Sequence, residues 1–175
     1  MKRKGLLLVY TGNGKGKTTA ALGMALRAAG QGLNVLILQF MKCQKMIGEC
    51  KALAQTNLPI TLEQYGRRVF FRTRTCELMD IHRAHQGLEA FKRAMKGNVY
   101  DLIILDEINM ATYYGLLRVE EVIDAIQQKP PSLFLVLTGR NANQKLIDMA
   151  DLVTEMREIK HHYHQGVHAQ KGIEF

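Results

Sequence analysis

The chain has 175 residues, a length that favours one domain with a sizeable core, and its formal net charge is +8. Hydrophobic residues make up 47% and charged residues 23%, as in globular proteins, and no apolar run reaches the roughly 18 residues of a membrane span. Three cysteines without a C-x-x-C pair argue against a disulfide or zinc framework and predict reduced thiols in a cytoplasmic protein. The positive charge favours an anionic partner, such as a nucleotide, a nucleic acid or an acidic protein.

Short apolar runs alternate with helical patterns along the chain. Strands are predicted at 6–10, 34–40, 59–65, 99–105, 133–138 and 152–156. Helices are predicted over 18–29, 77–96, 119–128 and 143–150. This alternation indicates β-α crossovers, and so an α/β fold with a mostly parallel sheet and helices on both faces. Residues 41–58 and 159–175 have the weakest periodicity, and such segments often carry sites.

A glycine-rich loop, "TGNGKGKTT" at 11–19, stands between the first strand and the first helix. Gly16, Lys17 and Thr18 fit the end of the phosphate-binding pattern G-x-x-x-x-G-K-[ST], while Thr11 stands where the pattern has its first glycine. That position only begins the turn, so we expect the phosphate loop to survive. The strand–loop–helix context predicts a P-loop (RecA-like) fold over a single domain, 1–175, with ATP bound at the loop.

The predicted nucleotide-binding residues are those that line this loop and open the helix. Their backbone N–H groups and the lysine ammonium suit phosphate oxygens, and a hydroxyl at the helix start suits Mg²⁺. Whether the Lys15 side chain contacts phosphate or is solvated stays open. The predicted set is Gly12, Asn13, Gly14, Lys15, Gly16, Lys17, Thr18 and Thr19.

An acidic pair, Asp106 and Glu107, ends the apolar run "LIIL". The carboxyl end of a strand in a parallel sheet is the ligand side, where a carboxylate can hold Mg²⁺. Successive strand residues point to opposite faces, so only one of the pair is expected to face the metal, and the spacing does not say which. The loop and the acids indicate MgATP binding and fit hydrolysis and other ATP chemistry equally well.

The whole pattern resembles the ATP:corrinoid adenosyltransferases of the CobA/BtuR/CobO type. The resemblance begins with "GNGKGKTTAALGMALRAAGQGLNVLILQFMK" at 12–42. It continues, in the family's order, with "LIILDEIN" (102–109), "EEVIDAI" (120–126), "LTGRN" (137–141) and "IDMADLVTEM" (147–156). The ending "EIKHHYHQGVHAQKGIEF" is similar to the family's tail, a feature that few other nucleotide-binding proteins share.

The resemblance implies a reaction in which the cobalt(I) of a reduced corrinoid attacks the 5′ carbon of ATP. Adenosylcorrinoid forms and inorganic triphosphate leaves. It also implies that residues 12–18 cradle the phosphates and that Lys17 neutralises leaving-group charge. Thr18 and Glu107 are then the expected ligands of Mg²⁺, with Mn²⁺ as an alternative, and Glu107 is favoured over Asp106. Lys17 and Glu107 are the expected catalytic residues.

The chain departs from the family's pattern where an aromatic pair with a tryptophan approaches the corrin, because it has no tryptophan. Phe70 and Phe71 are the nearest aromatic candidates for substrate contact, with ordinary core residues as the alternative. Cys43 is expected to be a small apolar residue. The histidines of the tail are not expected to form a metal site, because no cysteine or carboxylate stands at finger-like spacing among them.

Two other functions compete with this one. Arginines surround two aromatic residues in "RRVFFRTR" (67–74), a pattern that fits a RecA-like ATPase binding single-stranded nucleic acid. A small-molecule kinase is the other candidate, and it would yield ADP in place of triphosphate. The tail favours the adenosyltransferase, for which the expected partners are a corrinoid substrate, a reduced flavoprotein electron donor and a second copy in a homodimer, with no nucleic acid and no membrane.

Overall fold

The computed structural model describes residues 4–43, 47–67 and 77–174, which form one α/β domain. No helix within these ranges is long and apolar enough to cross a membrane. A short 3-10 helix, His162–Gln165, lies in the tail. The elements in chain order are β1 (Leu7–Thr11), α1 (Lys17–Gly30), β2 (Val35–Phe40), α2 (Gly48–Ala54), β3 (Ile60–Tyr65), α3 (Leu78–Gly97), β4 (Leu102–Asp106), α4 (Ile108–Tyr113), α5 (Val119–Gln127), β5 (Phe134–Thr138), α6 (Gln144–Asp148) and β6 (Leu152–Glu155).

The six described strands form one sheet in the order β3-β2-β4-β5-β1-β6, and every neighbouring pair is parallel. This confirms the predicted α/β fold with a parallel sheet. All carboxyl ends of the strands therefore meet at one edge of the sheet, the side on which such folds bind ligands. β3 lies at one margin of the sheet.

Helices cover both faces of the sheet, as predicted. On one face, Ala21 and Ala25 of α1 pack against alternate residues of β2 and β4, such as Ile37 and Ile104. On the other face, α3 and α5 pack against the intervening strand residues, with Phe91 among the side chains that are fully buried. The central strands are buried on both sides, which explains their unbroken apolar runs.

Two short helices were not predicted. α2 has seven residues and lies in the 41–58 segment whose periodicity is weak, and none of its residues is buried. α4 has six residues and follows β4 after a single residue, Glu107. A helix of two turns or fewer offers too few positions for a 3.6-residue period to show, so neither could be separated from a loop.

Candidate active site

The phosphate loop turns in left-handed backbone at two glycines. Gly12 has φ 91° and Gly16, the residue before α1, has φ 110°, values that L side chains rarely adopt. Thr11, at the position of the missing first glycine, is the last residue of β1, and its Oγ1 accepts a hydrogen bond from the Ala142 N–H at 3.3 Å. The loop therefore begins its turn at Gly12, and Thr11 ties its start to the connection after β5.

Lys17 lies inside the loop. Its Nζ donates to the carbonyl oxygens of Gly12 at 2.7 Å and Gly14 at 2.6 Å. Burial lowers the pKa of Lys17, and the nearby Glu107 carboxylate opposes that shift. The Lys17 ammonium is thus centred in the ring of loop backbone where a phosphate-binding cation is expected.

Three of the predicted nucleotide-binding side chains lie on the exposed surface of the loop: Asn13, Lys15 and Thr19. The Lys15 Nζ lies 2.8 Å from Glu174 Oε1 in the tail, so this lysine forms an ion pair within the chain. That contact gives Lys15 a partner that the sequence did not indicate. Its contact with phosphate stays a prediction.

The segment after β6 supports the phosphate loop. The Gly14 N–H donates to the Met156 carbonyl at 2.6 Å, and the Met156 N–H donates to the Thr11 carbonyl at 2.8 Å. A Cβ at Gly14 would lie 2.7 Å from the Arg157 carbonyl oxygen, well inside contact distance. Gly14 is therefore required by the close approach of the chain near Arg157, in addition to any approach of phosphate.

A row of polar side chains crosses the sheet at the ligand edge. Gln39 of β2 is in register with Gln64 of β3 on one side and with Asp106 of β4 on the other. Gln64 Nε2 donates to Gln39 Oε1 at 2.8 Å, and Gln39 Nε2 donates to Asp106 Oδ2 at 3.1 Å. The Thr138 hydroxyl, at the end of β5, donates to Asp106 Oδ1 at 2.6 Å. Gln39, Gln64 and Thr138 were missed from the sequence, although each is a polar residue at or near the end of its strand.

Asp106 is at the centre of this row and only 1% exposed. The Thr18 hydroxyl donates to its Oδ1 at 2.8 Å, and the Lys42 Nζ donates to its Oδ2 at 2.7 Å. Burial alone would raise the pKa of Asp106, but the Lys42 ammonium and the hydroxyl donors outweigh burial and hold that pKa below its ordinary value. The phosphate loop and the acidic pair are therefore brought together through the Thr18–Asp106 hydrogen bond.

Glu107 stands in left-handed backbone, with φ 64°, at the start of α4. Its N–H donates to the Thr138 hydroxyl at 3.0 Å, and its carboxylate lies beside Gly139. Burial and then the neighbouring Asp106 charge raise the pKa of Glu107, although Lys42, Lys17 and Arg140 act in the opposite direction. Asp106 is thus the acid in direct contact with Thr18, and the choice of Glu107 as a metal ligand stays a prediction.

The donor set at this corner of the site fits Mg²⁺. A hydroxyl and two carboxylates are hard oxygen ligands, and Mg²⁺ in nucleotide sites takes one or two carboxylates together with phosphate oxygens. Within the described ranges, no group of three or more His, Cys, Asp or Glu side chains could hold a metal ion. Cys43 and Cys50 are free thiols, and Cys43 is partly buried.

Phe70 and Phe71, the predicted substrate contacts, lie outside the described residues. Arg67 joins the two described parts of the chain that flank this segment, which end at residue 67 and begin again at residue 77. Its Nε and Nη2 donate to the two carboxylate oxygens of Asp80 at 2.6 and 2.7 Å, and its Nη1 donates to Glu77 Oε2 at 2.6 Å. Arg67 therefore fixes the end of the β3 segment to the start of α3.

Left-handed backbone at non-glycine residues is concentrated at the ligand edge. Met41 (φ 58°) follows β2, Glu107 (φ 64°) follows β4, and Asn141 (φ 54°) lies three residues after the end of β5. Such backbone costs on the order of 1–3 kcal/mol per residue and persists where the surrounding structure requires it. Three of the four such residues in the described ranges therefore lie at the ligand edge, and the fourth, Asn98, follows α3.

Comparison with known proteins identifies the family. A sequence model of ATP:corrinoid adenosyltransferase BtuR/CobO/CobP matches residues 3–175. The chain belongs to this family. A corrinoid adenosyltransferase of Sinorhizobium sp is 38% identical over 98% of this chain and 81% of the relative. One from Pseudomonas aeruginosa is 36% identical, over 98% and 84%, and corrinoid adenosyltransferase CobA of Salmonella typhimurium is 35% identical, over 99% and 87%.

Membership of the corrinoid adenosyltransferase family confirms the resemblance noted from the sequence and makes the chain an enzyme of the transferase class. The match runs almost the full length of the chain, so it includes the phosphate loop, the acidic pair and the tail. In this chain, the contacts described above join the phosphate loop to both the acidic pair and the tail.

Proposed function

We propose that the protein transfers the 5′-deoxyadenosyl group of ATP to the cobalt(I) of a reduced corrinoid. The substrate cobalt supplies the electron pair of the new cobalt–carbon bond. The bond from C5′ to oxygen breaks, and inorganic triphosphate leaves with the electron pair of that broken bond. One observation carries the proposal beyond family membership. The Thr18 hydroxyl of the phosphate loop lies 2.8 Å from Asp106 Oδ1, so the loop and the acids form one site at the ligand edge.

The nucleophile belongs to the substrate, so the protein has to position the reactants and stabilise charge. Negative charge builds up on the leaving triphosphate as the bond breaks. The groups proposed to bind that charge are the Lys17 ammonium, the start of α1 and the N–H groups of residues 12–18 other than that of Gly14, which donates to Met156. Mg²⁺ or Mn²⁺, when bound, neutralises phosphate oxygens, and Thr18 and Glu107 are the residues proposed to hold it.

The remaining parts of the proposal concern partners. Phe70 and Phe71 contact the corrin, and Arg67 holds the start of α3, which follows their segment in the chain.

A reduced flavoprotein supplies the electron that generates cobalt(I). The enzyme acts as a homodimer, and the reaction takes place in the cytoplasm. The net charge of +8 supports an acidic electron donor.

The proposal is tested anaerobically with MgATP and chemically reduced cobalamin. We expect the optical spectrum of cobalt(I) to give way to that of the cobalt–carbon product, with one triphosphate formed for each adenosylcobalamin. Lys17→Ala removes the loop cation and is expected to lower the rate by about 10²–10³-fold, the usual cost of one charge-stabilising group. Lys92→Met, which removes a positive charge from α3, is the matched control and should leave the rate unchanged.

Two outcomes would contradict the proposal. If ATP binds but no cobalt–carbon bond forms with any of several corrinoids, adenosyl transfer is excluded as the function. If single-stranded DNA stimulates orthophosphate release in a salt-sensitive manner, the function is that of a nucleic-acid-dependent ATPase.

A further inference from the structure

The Lys42 side chain lies in the corner of the site where a divalent cation is expected. Its Nζ is 2.7 Å from Asp106 Oδ2 and 3.4 Å from Thr18 Oγ1. In a phosphate-loop site such an ion uses a hydroxyl at the start of the helix and a carboxylate that follows a neighbouring strand, proposed above to be Thr18 and Glu107. The Lys42 ammonium therefore contacts one proposed metal ligand, Thr18, and Asp106, the carboxylate next to the other.

The backbone around Lys42 is built to put it there. Met41, the preceding residue, has φ 58°, and its N–H donates to the Tyr65 carbonyl at 3.1 Å. Gly66 packs so closely on the Met41–Lys42 peptide that a Cβ would collide with it. Contacts with Tyr65 and Gly66, at the end of β3, thus fix the chain reversal after β2. This reversal brings the Lys42 side chain back over the edge of the sheet.

Lys42 also balances a buried charge. The Asp106 side chain is 1% exposed, and that of Lys42 is 28% exposed. The other side chains that bond to Asp106 in the described part of the chain are neutral: Gln39, Thr18 and Thr138. A buried carboxylate without a cation is costly, so Asp106 depends on Lys42 for its charge partner.

We propose that Lys42 is an internal counter-cation that holds Asp106 and Thr18 in the metal-free protein and gives up these contacts when a divalent cation binds. The inference rests on the proposed function only in taking this corner as the metal position. Metal binding is then an exchange of one cation for another. A free metal ion gains little binding free energy from this exchange. A metal ion that arrives with a nucleotide also brings phosphate oxygens, which can accept hydrogen bonds from the released Lys42 ammonium.

The first test measures Mn²⁺ binding by electron paramagnetic resonance, without nucleotide. Lys42→Met keeps much of the side-chain length but removes the competing charge, so we expect Mn²⁺ to bind at least about tenfold more tightly than in the wild type. Lys92→Met changes the net charge equally and should bind Mn²⁺ as the wild type does. Equal or weaker binding by Lys42→Met would overturn the proposal.

The second test measures thermal unfolding of the metal-free protein. Lys42→Met is expected to lower the melting temperature, because Asp106 is left without its cation, and added Mn²⁺ should recover the loss. Adding Asp106→Asn to Lys42→Met removes both charges. This double variant should recover most of the lost melting temperature without metal. If the double variant is as unstable as the sum of the two single variants predicts, Lys42 and Asp106 are not coupled and the proposal fails.

A third measurement uses the wild-type protein and does not depend on any variant folding. The rate of Lys42 acetylation, followed by mass spectrometry, should rise at Mn²⁺ concentrations that occupy the site by electron paramagnetic resonance, whereas that of Lys92 should not change. A Lys42 rate that stays constant or falls contradicts displacement. None of these readouts requires ATP or corrinoid, so a failure of adenosyl transfer in the wild type would be distinguishable from a failure of this inference.

Discussion

Asp106 and Glu107 are adjacent in sequence, but their surroundings move their pKa values in opposite directions. Asp106 bonds to an ammonium and two hydroxyls, and its pKa is lowered. Glu107 is buried beside the Asp106 charge, and its pKa is raised. The lowered pKa of Asp106 contributes stability that is present at neutral pH and lost as the pH falls through its folded-state pKa. The raised pKa of Glu107 costs stability at neutral pH, and that cost disappears in acid.

Glu107→Gln is therefore expected to stabilise the ligand-free protein at pH 7. The gain should vanish as the pH falls below about 4.3, the ordinary pKa of a glutamate. The Glu107 carboxyl of the wild type is then protonated in both the folded and the unfolded state. A gain of about 1 kcal/mol would raise the melting temperature by about 2–4 °C in a protein of this size. Thermal unfolding between pH 4 and 8 measures the effect.

Glu89→Gln is the matched control for this prediction. Glu89 is an exposed glutamate on α3 that pairs with Lys92, and its pKa is lowered by that lysine. Removing its charge should give no stabilisation at any of these pH values. A lower melting temperature for Glu107→Gln than for the wild type at pH 7 would contradict the assignment of a charge penalty to Glu107.

Residue roles at the site could be predicted only where the chemistry is local. The spacing of its residues indicates the phosphate loop, and Lys17 and Thr18 stand at the start of α1, while their roles stay predictions. Lys42 could not be found that way, because its place beside Asp106 depends on the left-handed Met41 and on the pairing of β2 with β4. The contact between Lys15 and Glu174 joins residues 159 positions apart, and no local pattern reports it.

At the scale of elements, the loop after β1 and the segment after β6 act as a unit. Gly14→Ala would place a Cβ 2.7 Å from the Arg157 carbonyl, where backbone has to move. We expect a loss of about 1–3 kcal/mol in the free energy of unfolding, the usual cost of overpacking, together with weaker ATP binding. Urea denaturation and ATP titration measure the two effects.

Gly23→Ala is the same substitution in a different setting. Gly23 lies inside α1, and a Cβ there meets nothing within 4 Å. Alanine should stabilise the helix by about 0.5–1 kcal/mol and leave ATP binding unchanged. If Gly14→Ala behaved as Gly23→Ala does, the segment after β6 would not support the loop.

Element positions followed from the sequence where a strand or helix is half-buried or fully buried, although β4 begins at Leu102 and not at the predicted residue 99. β2, β4 and β5 are apolar throughout their cores, and α3 shows its helical period over 20 residues. α2 and α4 are too short to show a period, and their positions are set by contacts made elsewhere in the fold. Glu49 of α2 accepts a hydrogen bond from Gln39 at 3.4 Å, and α4 follows Glu107, so both missed helices adjoin the site.

At the scale of the whole molecule, the parallel sheet was predictable and its strand order was not. β-α alternation indicates parallel pairing, but the order β3-β2-β4-β5-β1-β6 depends on which helix crosses which face. That order puts β1 next to β5 and β6, and so puts the phosphate loop beside the segments after both strands. Tertiary packing, which no local pattern encodes, selects this arrangement.

The net charge of +8 gives a prediction for the electron donor. If an acidic reduced flavoprotein docks on this protein, its rate of corrinoid reduction should fall as ionic strength rises from 0.01 to 0.5 M, because added salt screens charge attraction over about 10 Å at 0.1 M. The adenosylation rate with a chemical reductant, measured in the same buffers, is the control. A reduction rate independent of ionic strength would exclude charge-steered docking.

The ion pair between Lys15 of the phosphate loop and Glu174 of the tail has a consequence for nucleotide binding. This contact joins the tail to the loop, and binding free energies are reciprocal. Whatever factor a docked tail adds to the affinity for nucleotide, bound nucleotide must add to the docking of the tail.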